Sequence, residues 1–118
     1  MTAVPVLDGI TAQTVATGRL ATRVLSSGPD AGQPVLFIHG NASSATYWEE
    51  VMLALPDGYR ALAPDLRGYG GADPAKKIDA TRGTGDWADD LLALLDHQIT
   101  GSTNSGNFTL AAGYRFLF

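Results

Sequence analysis

The sequence predicts an α/β fold with a mainly parallel sheet. Three observations carry that prediction. Val35-Leu36-Phe37-Ile38 is an apolar run without polar alternation, the pattern of a strand buried on both faces. Tyr59 to Ala63 reads as a second buried strand, ended by Pro64. Segments of helical period follow each of these two runs. Strands that alternate with helices from residue 35 onward imply a parallel sheet layered with helices.

The elements follow in order. Gln13 to Ala16 and Leu20 to Leu25 are two short strands around Thr17-Gly18, with Gly18 at the hairpin turn, so the sheet starts antiparallel. Residues 27 to 34 form a loop rich in Gly and Pro. After the strand at 35 to 38, Tyr47, Trp48, Val51, Met52 and Leu55 fall at helical spacing within 44 to 55, and Glu49 and Glu50 lie on the other face. The hydroxyl of Ser43 or Ser44 is placed to cap this helix by accepting from a free backbone N–H. Pro56-Asp57-Gly58 stops it. Asp65 to Asp79 is a loop rich in Gly, Pro and charge. A second helix spans Gly85 to Asp96, with Trp87, Leu91, Leu94 and Leu95 on its apolar face. Asp86, Asp89 and Asp90 are expected to face water, where they suit the positive end of the helix dipole. Thr100 to Gly106 is polar, and Phe108 to Phe118 is apolar enough for one more strand.

Composition sets the bounds. The chain has 118 residues, 45% hydrophobic and 17% charged, with no cysteine and a net charge of −4. That length fits one compact domain, and the apolar content argues against wholesale disorder. The absence of cysteine excludes disulfides, a thiolate nucleophile and Cys-ligated zinc. Negative net charge gives no general attraction to nucleic acid phosphates. Asp8 and Gly9 interrupt the only apolar run near the N-terminus, so no secretory signal is expected. No stretch approaches the roughly 20 apolar residues that span a bilayer. The expectation is a cytoplasmic protein without nucleic-acid or membrane partners and without a cofactor.

Two blocks carry the chemistry. The first is Val35-Leu36-Phe37-Ile38-His39-Gly40-Asn41-Ala42-Ser43-Ser44, and the second is Ala63-Pro64-Asp65-Leu66-Arg67-Gly68-Tyr69-Gly70. With these blocks the chain resembles the α/β-hydrolase superfamily. There, a buried strand ends in His-Gly, a helix follows, and the next strand ends in Asp-x-Arg-Gly-x-Gly. The resemblance covers residues 12 to 97. It implies the N-terminal half of a hydrolase sheet: an antiparallel start, then parallel strands with flanking helices. It also implies a nucleophile–acid–His mechanism that hydrolyses an ester or related bond.

The resemblance assigns roles by position. The backbone N–H of Asn41 is the oxyanion donor contributed by the loop after the His-Gly strand. Gly40 lets that backbone approach a substrate, having no Cβ. His39 is expected to hold the loop rather than act as the base, because the base of this fold lies far C-terminal. Asp65, Arg67, Gly68 and Gly70 are structural, with Arg67 tying the loop by charge-assisted hydrogen bonds and the glycines allowing positive φ. His97 ends the second helix, and neither histidine has metal-ligand spacing. Gly68-Tyr69-Gly70-Gly71-Ala72-Asp73 imitates half a dinucleotide fingerprint, but Asp73 stands where the third Gly belongs and Pro74 follows.

The nucleophile is the missing part. No Gly-x-Ser-x-Gly occurs, and Gly101-Ser102-Thr103-Asn104-Ser105-Gly106 has the residue types at the wrong spacing. If Gly113 were the first elbow glycine, Arg115 would stand at the nucleophile and Leu117 at the second glycine. A guanidinium stays protonated and cannot attack a carbonyl. Phe116-Leu117-Phe118 would be an exposed apolar ending.

The resulting expectation is an N-terminal part of a hydrolase domain over 1–97 and a divergent tail over 98–118. The chain would be truncated at the nucleophile elbow, or altered near residue 98, and inactive by itself. Its full-length parent would take a small-molecule substrate. Asn41 after His-Gly also resembles haloalkane dehalogenases, although Ala42 replaces the Pro usual there, and Asp65 to Gly70 resembles the loop of epoxide hydrolases. Two other readings remain open: a non-catalytic module that binds a protein partner through its sheet edge, and a small Rossmann-like binding domain weakened by the failed glycine spacing.

Overall fold

The computed structural model describes residues 4–99 and 109–112. Its five strands are β1 (Thr11–Ala16), β2 (Ala21–Ser27), β3 (Gln33–Ile38), β4 (Tyr59–Pro64) and β5 (Thr109–Ala112). They form one sheet in the order β1-β2-β4-β3-β5. β1 pairs antiparallel with β2, and β2 antiparallel with β4. β3 pairs parallel with both β4 and β5. The antiparallel start and parallel continuation are those expected from the sequence. The helices are α1 (Glu49–Leu53), entered through a 3₁₀ turn at Ala45–Trp48, and α2 (Gly85–Ile99), preceded by a 3₁₀ turn at Ala80–Arg82.

The unalternated run of β3 has a direct physical meaning here. Val35 and Phe37 pack with Ile10, Leu25, Ala45, Met52, Ala61 and Ala63. Leu36 packs with Val15, Val24, Leu62 and Leu94. Successive side chains of a strand point to opposite faces, so β3 and β4 feed two cores at once. The α1 region covers one face, with Phe37 and Trp48 rings 5.0 Å apart, and α2 covers the other through Leu94. Leu36 and Leu62 are fully buried, and each such side chain contributes roughly 2 kcal/mol by leaving water.

Several local expectations change. The β1–β2 turn depends on Thr17 rather than on Gly18. The Thr17 hydroxyl accepts from the N–H groups of Arg19 and Leu20 at 3.1 and 3.2 Å, a side-chain mimic of a backbone turn. Gly18 has no positive φ and open space around it.

Ser44 stands at the N-cap position of the first helical turn, but its side chain makes no capping bond. The Ala45 N–H instead donates to Asp65 Oδ1 at 2.7 Å. The cap therefore comes from a carboxylate 20 residues away in sequence.

Glu49 does not face water. It is buried, and its Oε1 accepts from the Leu7 N–H at 2.7 Å, which secures the N-terminal segment. Tyr47 and Val51, expected on the apolar face, are exposed. The tighter 3₁₀ turn breaks the phase that a uniform 3.6-residue period would carry from Tyr47 to Leu55.

On α2, Trp87, Leu91 and Leu95 are half-buried and Leu94 is buried. Asp90, expected in water, is buried too. Among the described residues no helix is long and apolar enough to cross a membrane.

Candidate functional site

β3 and β4 run parallel, so their C-terminal ends open on the same edge of the sheet. Two loops leave that edge: Gly40 to Ser44 after β3, and Asp65 to Asp79 after β4. In an open α/β sheet this edge is where ligands bind.

His39 joins the two loops. It is 3% exposed. The Leu66 N–H donates to its Nε2 at 2.9 Å, so Nε2 is the unprotonated nitrogen. Nδ1 then carries the proton and donates to the Gly40 carbonyl at 2.8 Å. Burial pushes the His39 pKa below its ordinary value, against the smaller opposing pull of the Gly40 bond and the Asp65 charge. Both ring nitrogens are occupied, leaving neither free to take a proton from a nucleophile.

Asn41 is exposed at the start of the turn that follows. Its side-chain Oδ1 accepts from the Tyr69 hydroxyl. Ala42, next in the chain, has φ +56° and is the only described non-glycine residue at positive φ. A proline there would be locked near −65°, so the conformation Ala42 adopts is one that proline could not take.

Asp65 anchors the second loop. It is 1% exposed. Its Oδ2 accepts from Arg23 Nε at 2.8 Å and from the Gly71 N–H at 2.7 Å, while Oδ1 accepts from the Ala45 N–H. Its backbone carbonyl accepts from the Thr22 hydroxyl at 2.6 Å. One carboxylate thus fixes the β4 loop, the start of the α1 region and the β2 strand. Gly70, at φ +51°, lies so close that a Cβ there would collide with the Asp65 carboxylate.

Arg67 is tied to α2. Its Nε and Nη2 donate to the two Asp90 carboxylate oxygens, both at 2.8 Å, a bidentate geometry that is among the strongest side-chain pairings. Asp90 holds the guanidinium in its charged form and raises its pKa further. Arg19 Nε also donates to Asp90, at 3.0 Å, and Trp87 Nε1 donates to the Arg67 carbonyl at 3.0 Å. Gly68 has φ +89°, and Ile78 fills the space a Cβ would need. His97 is exposed at the end of α2.

Of the residues singled out from the sequence, the structure brings together His39, Gly40, Asn41, Asp65 and the Arg67–Gly70 segment. It adds Tyr69, Arg23 and Asp90. The Tyr69 ring meets His39 edge-on at 5.6 Å between centroids, and it lies 6.4 Å from Trp87. Tyr69 stands inside the Asp65 to Gly70 block, so its position was visible and its reach across to Asn41 was not. Arg23 sits mid-strand with no local signal. The elbow comparison at Gly113, Arg115 and Leu117, the Gly101–Gly106 stretch and the Phe116–Phe118 ending lie outside the described residues. Thr109–Ala112 is a strand and stands beside β3 as its second parallel neighbour.

Comparison with known proteins agrees with this geometry. The model of the α/β hydrolase fold family matches residues 33–105. The chain belongs to the α/β-hydrolase fold family. It is 32% identical over 90 residues to an AB hydrolase superfamily protein of Bacillus subtilis, covering 75% of this chain and 31% of that protein. It is 41% identical over 68 residues to epoxide hydrolase 1 of Siraitia grosvenorii, covering 57% and 21%. The crystal structure of an epoxide hydrolase from Vigna radiata superposes with a TM-score of 0.73 at 30% identity, covering 92% of this chain and 32% of that one. The chain therefore spans no more than about a third of the length of these relatives.

Proposed function

We propose that the chain supplies the oxyanion-loop half of an α/β-hydrolase active site, with the Asn41 backbone N–H as one oxyanion donor. His39 and Gly40 support that loop, and Asp65, Arg67, Gly68 and Gly70 shape the loop beside it. Residues 1–97 are the N-terminal part of the hydrolase domain, and 98–118 are its divergent tail. The reaction is cytoplasmic hydrolysis of an ester or related bond in a small molecule. An epoxide is the favoured substrate class, because relatives of 30% identity or more are named as epoxide hydrolases.

The observation that carries this reading is the placement of Asn41. It follows the central strand β3, which is flanked by β4 on one side and β5 on the other. In the family, the strand that presents the nucleophile follows the second helix; β5 has that position in chain order and lies beside β3 in the sheet. A covalent intermediate formed there would develop its negative oxygen near the β3 loop. The Asn41 N–H would hold that oxygen while a downstream His activates water. The chain by itself has no Gly-x-Ser-x-Gly, and we expect it to be inactive.

The test has two arms. The purified 118-residue chain, assayed with p-nitrophenyl acetate and styrene oxide, should match a blank without protein. Turnover that a substitution in this chain abolishes would sink the inactive assignment. A longer product of the same gene, carrying a nucleophile and a late His, should turn over one of these substrates. In it, Asn41→Pro removes the N–H and should lower kcat by about 100- to 1000-fold. An unchanged kcat would remove Asn41 from the oxyanion hole.

A non-catalytic interaction module is the second reading, favoured by β5 ending the sheet among the described strands. A clean monomer with two-state melting on gel filtration and thermal scanning would argue against it.

A further inference from the structure

The Asn41–Ala42 turn combines two features that call for an outside hold. It is exposed, so water competes for its polar groups. It also contains a non-glycine residue at φ +56°, a conformation in which the Cβ crowds the backbone. Such conformations persist where the surroundings over-determine them. Among the described residues, one side chain hydrogen-bonds to the turn from another loop: Tyr69, whose hydroxyl donates to Asn41 Oδ1. Tyr69 is itself held in place. Its ring meets the buried His39 edge-on and lies against Trp87, and Trp87 is bonded to the Arg67 carbonyl. The backbone before and after Tyr69 is pinned by the Tyr69 N–H to Leu66 carbonyl bond at 2.9 Å and the Ala72 N–H to Tyr69 carbonyl bond at 3.1 Å.

We infer that the Tyr69 hydroxyl is a positioning group: it fixes the Asn41–Ala42 turn, strained at Ala42, and with it the direction of the Asn41 backbone N–H. Tyr69 touches no reacting atom in this scheme. It acts through Asn41, and its consequence for turnover rests on the hydrolase reading above.

Substitution separates the hydroxyl from the ring. Tyr69→Phe keeps the packing on His39 and Trp87 and removes only the donor. Asn41→Ala removes the acceptor. Asn41→Asp keeps an acceptor oxygen. In the 118-residue chain, 15N relaxation should show the order parameters of the residue 41 and 42 amides falling from about 0.85 to below about 0.6 in Tyr69→Phe and in Asn41→Ala. The double variant should be no looser than either single one. Asn41→Asp should stay rigid, and His39 and Leu66 should stay rigid in all of them. Unchanged order at 41 and 42 in Tyr69→Phe would overturn the proposal, as would equal loosening in Asn41→Asp. These measurements need no activity, so they decide the role of Tyr69 even if no product of the gene is a hydrolase. In an active longer product, Tyr69→Phe should lower kcat on the order of tenfold, as misplacement of a catalytic group does, with KM unchanged. An equal kcat beside a normally sensitive Asn41→Pro would reject the positioning role while leaving the oxyanion assignment intact.

Discussion

The loops after β3 and β4 leave the same edge of the sheet and are built in opposite ways. The loop after β4 starts with buried charge: Asp65 and Arg67 are 1% and 9% exposed, and each is paired with an opposite charge at 2.8 Å. The loop after β3 carries Asn41 and Ala42 in the open. Its bonds come from elsewhere: Asp65 caps the helical turn that follows it, Leu66 holds His39, and Tyr69 holds Asn41. The rigid loop lends its order to the exposed one. An exposed backbone donor can then stay in place without being buried, which is what a substrate-facing N–H requires.

Removing Asp65 should have the largest effect on this arrangement. Asp65→Ala leaves Arg23 without its ion-pair partner and two backbone donors, the Ala45 and Gly71 N–H groups, without their acceptor, and loss of one partner of a buried pair costs about 3–5 kcal/mol. Against a typical total of about 5–15 kcal/mol, urea denaturation should find the chain barely folded. A loss under about 1 kcal/mol would mean that the β4 loop is not the anchor. Asp90→Ala comes next, at about 3 kcal/mol, because Arg67 loses both bonds of its fork while Trp87 still holds the Arg67 carbonyl. The Asp90→Asn variant should recover part of this in the same melts by keeping one acceptor.

Acidity should act on the link between the loops. The folded pKa of His39 is lowered, so the unfolded chain binds the proton more readily. The His39 contribution is complete above the unfolded value near 6.5 and is lost as pH falls from there through the folded value. Melting temperature should drop across that interval in the wild type, and the drop should shrink in His39→Gln. A pH-independent Tm would show that His39 titrates alike in both states. Smallest of all is Ser44→Ala. A true cap is worth about 1 kcal/mol, whereas Ser44 makes no capping bond, so chemical denaturation should change by less than about 0.5 kcal/mol.

What was legible in the sequence follows the range of the interactions involved. Strand β3 was readable because burial on both faces leaves an unbroken apolar run. The face of α2 was readable because Leu91, Leu94 and Leu95 keep one period. The α1 region misled because a 3₁₀ turn shifts the phase between Tyr47 and Val51, and because Glu49 serves a backbone N–H from the N-terminal segment. The sequence pattern puts Asp90 in solvent, because its partners, Arg67 and Arg19, lie 23 and 71 positions away in sequence. Motif spacing singled out His39, Asn41 and Asp65, but no local pattern announces that Asp65 caps a helix it does not belong to. Side-chain bonds between distant segments are set by tertiary packing, and a charge on a helix looks the same whether it meets water or a buried arginine.

The strand order has a consequence for how the molecule is made. β3 lies between β4 and β5, yet β5 is the last of the five strands to leave the ribosome. While the chain grows, β3 must wait with one backbone edge unpaired, and its neighbours in sequence cannot close that edge. An unpaired apolar strand edge templates wrong pairing between chains. The edge of β3 is therefore vulnerable during synthesis, before β5 covers it. Stalled nascent chains released before residue 109 should aggregate more readily in a sedimentation assay than chains released after residue 112.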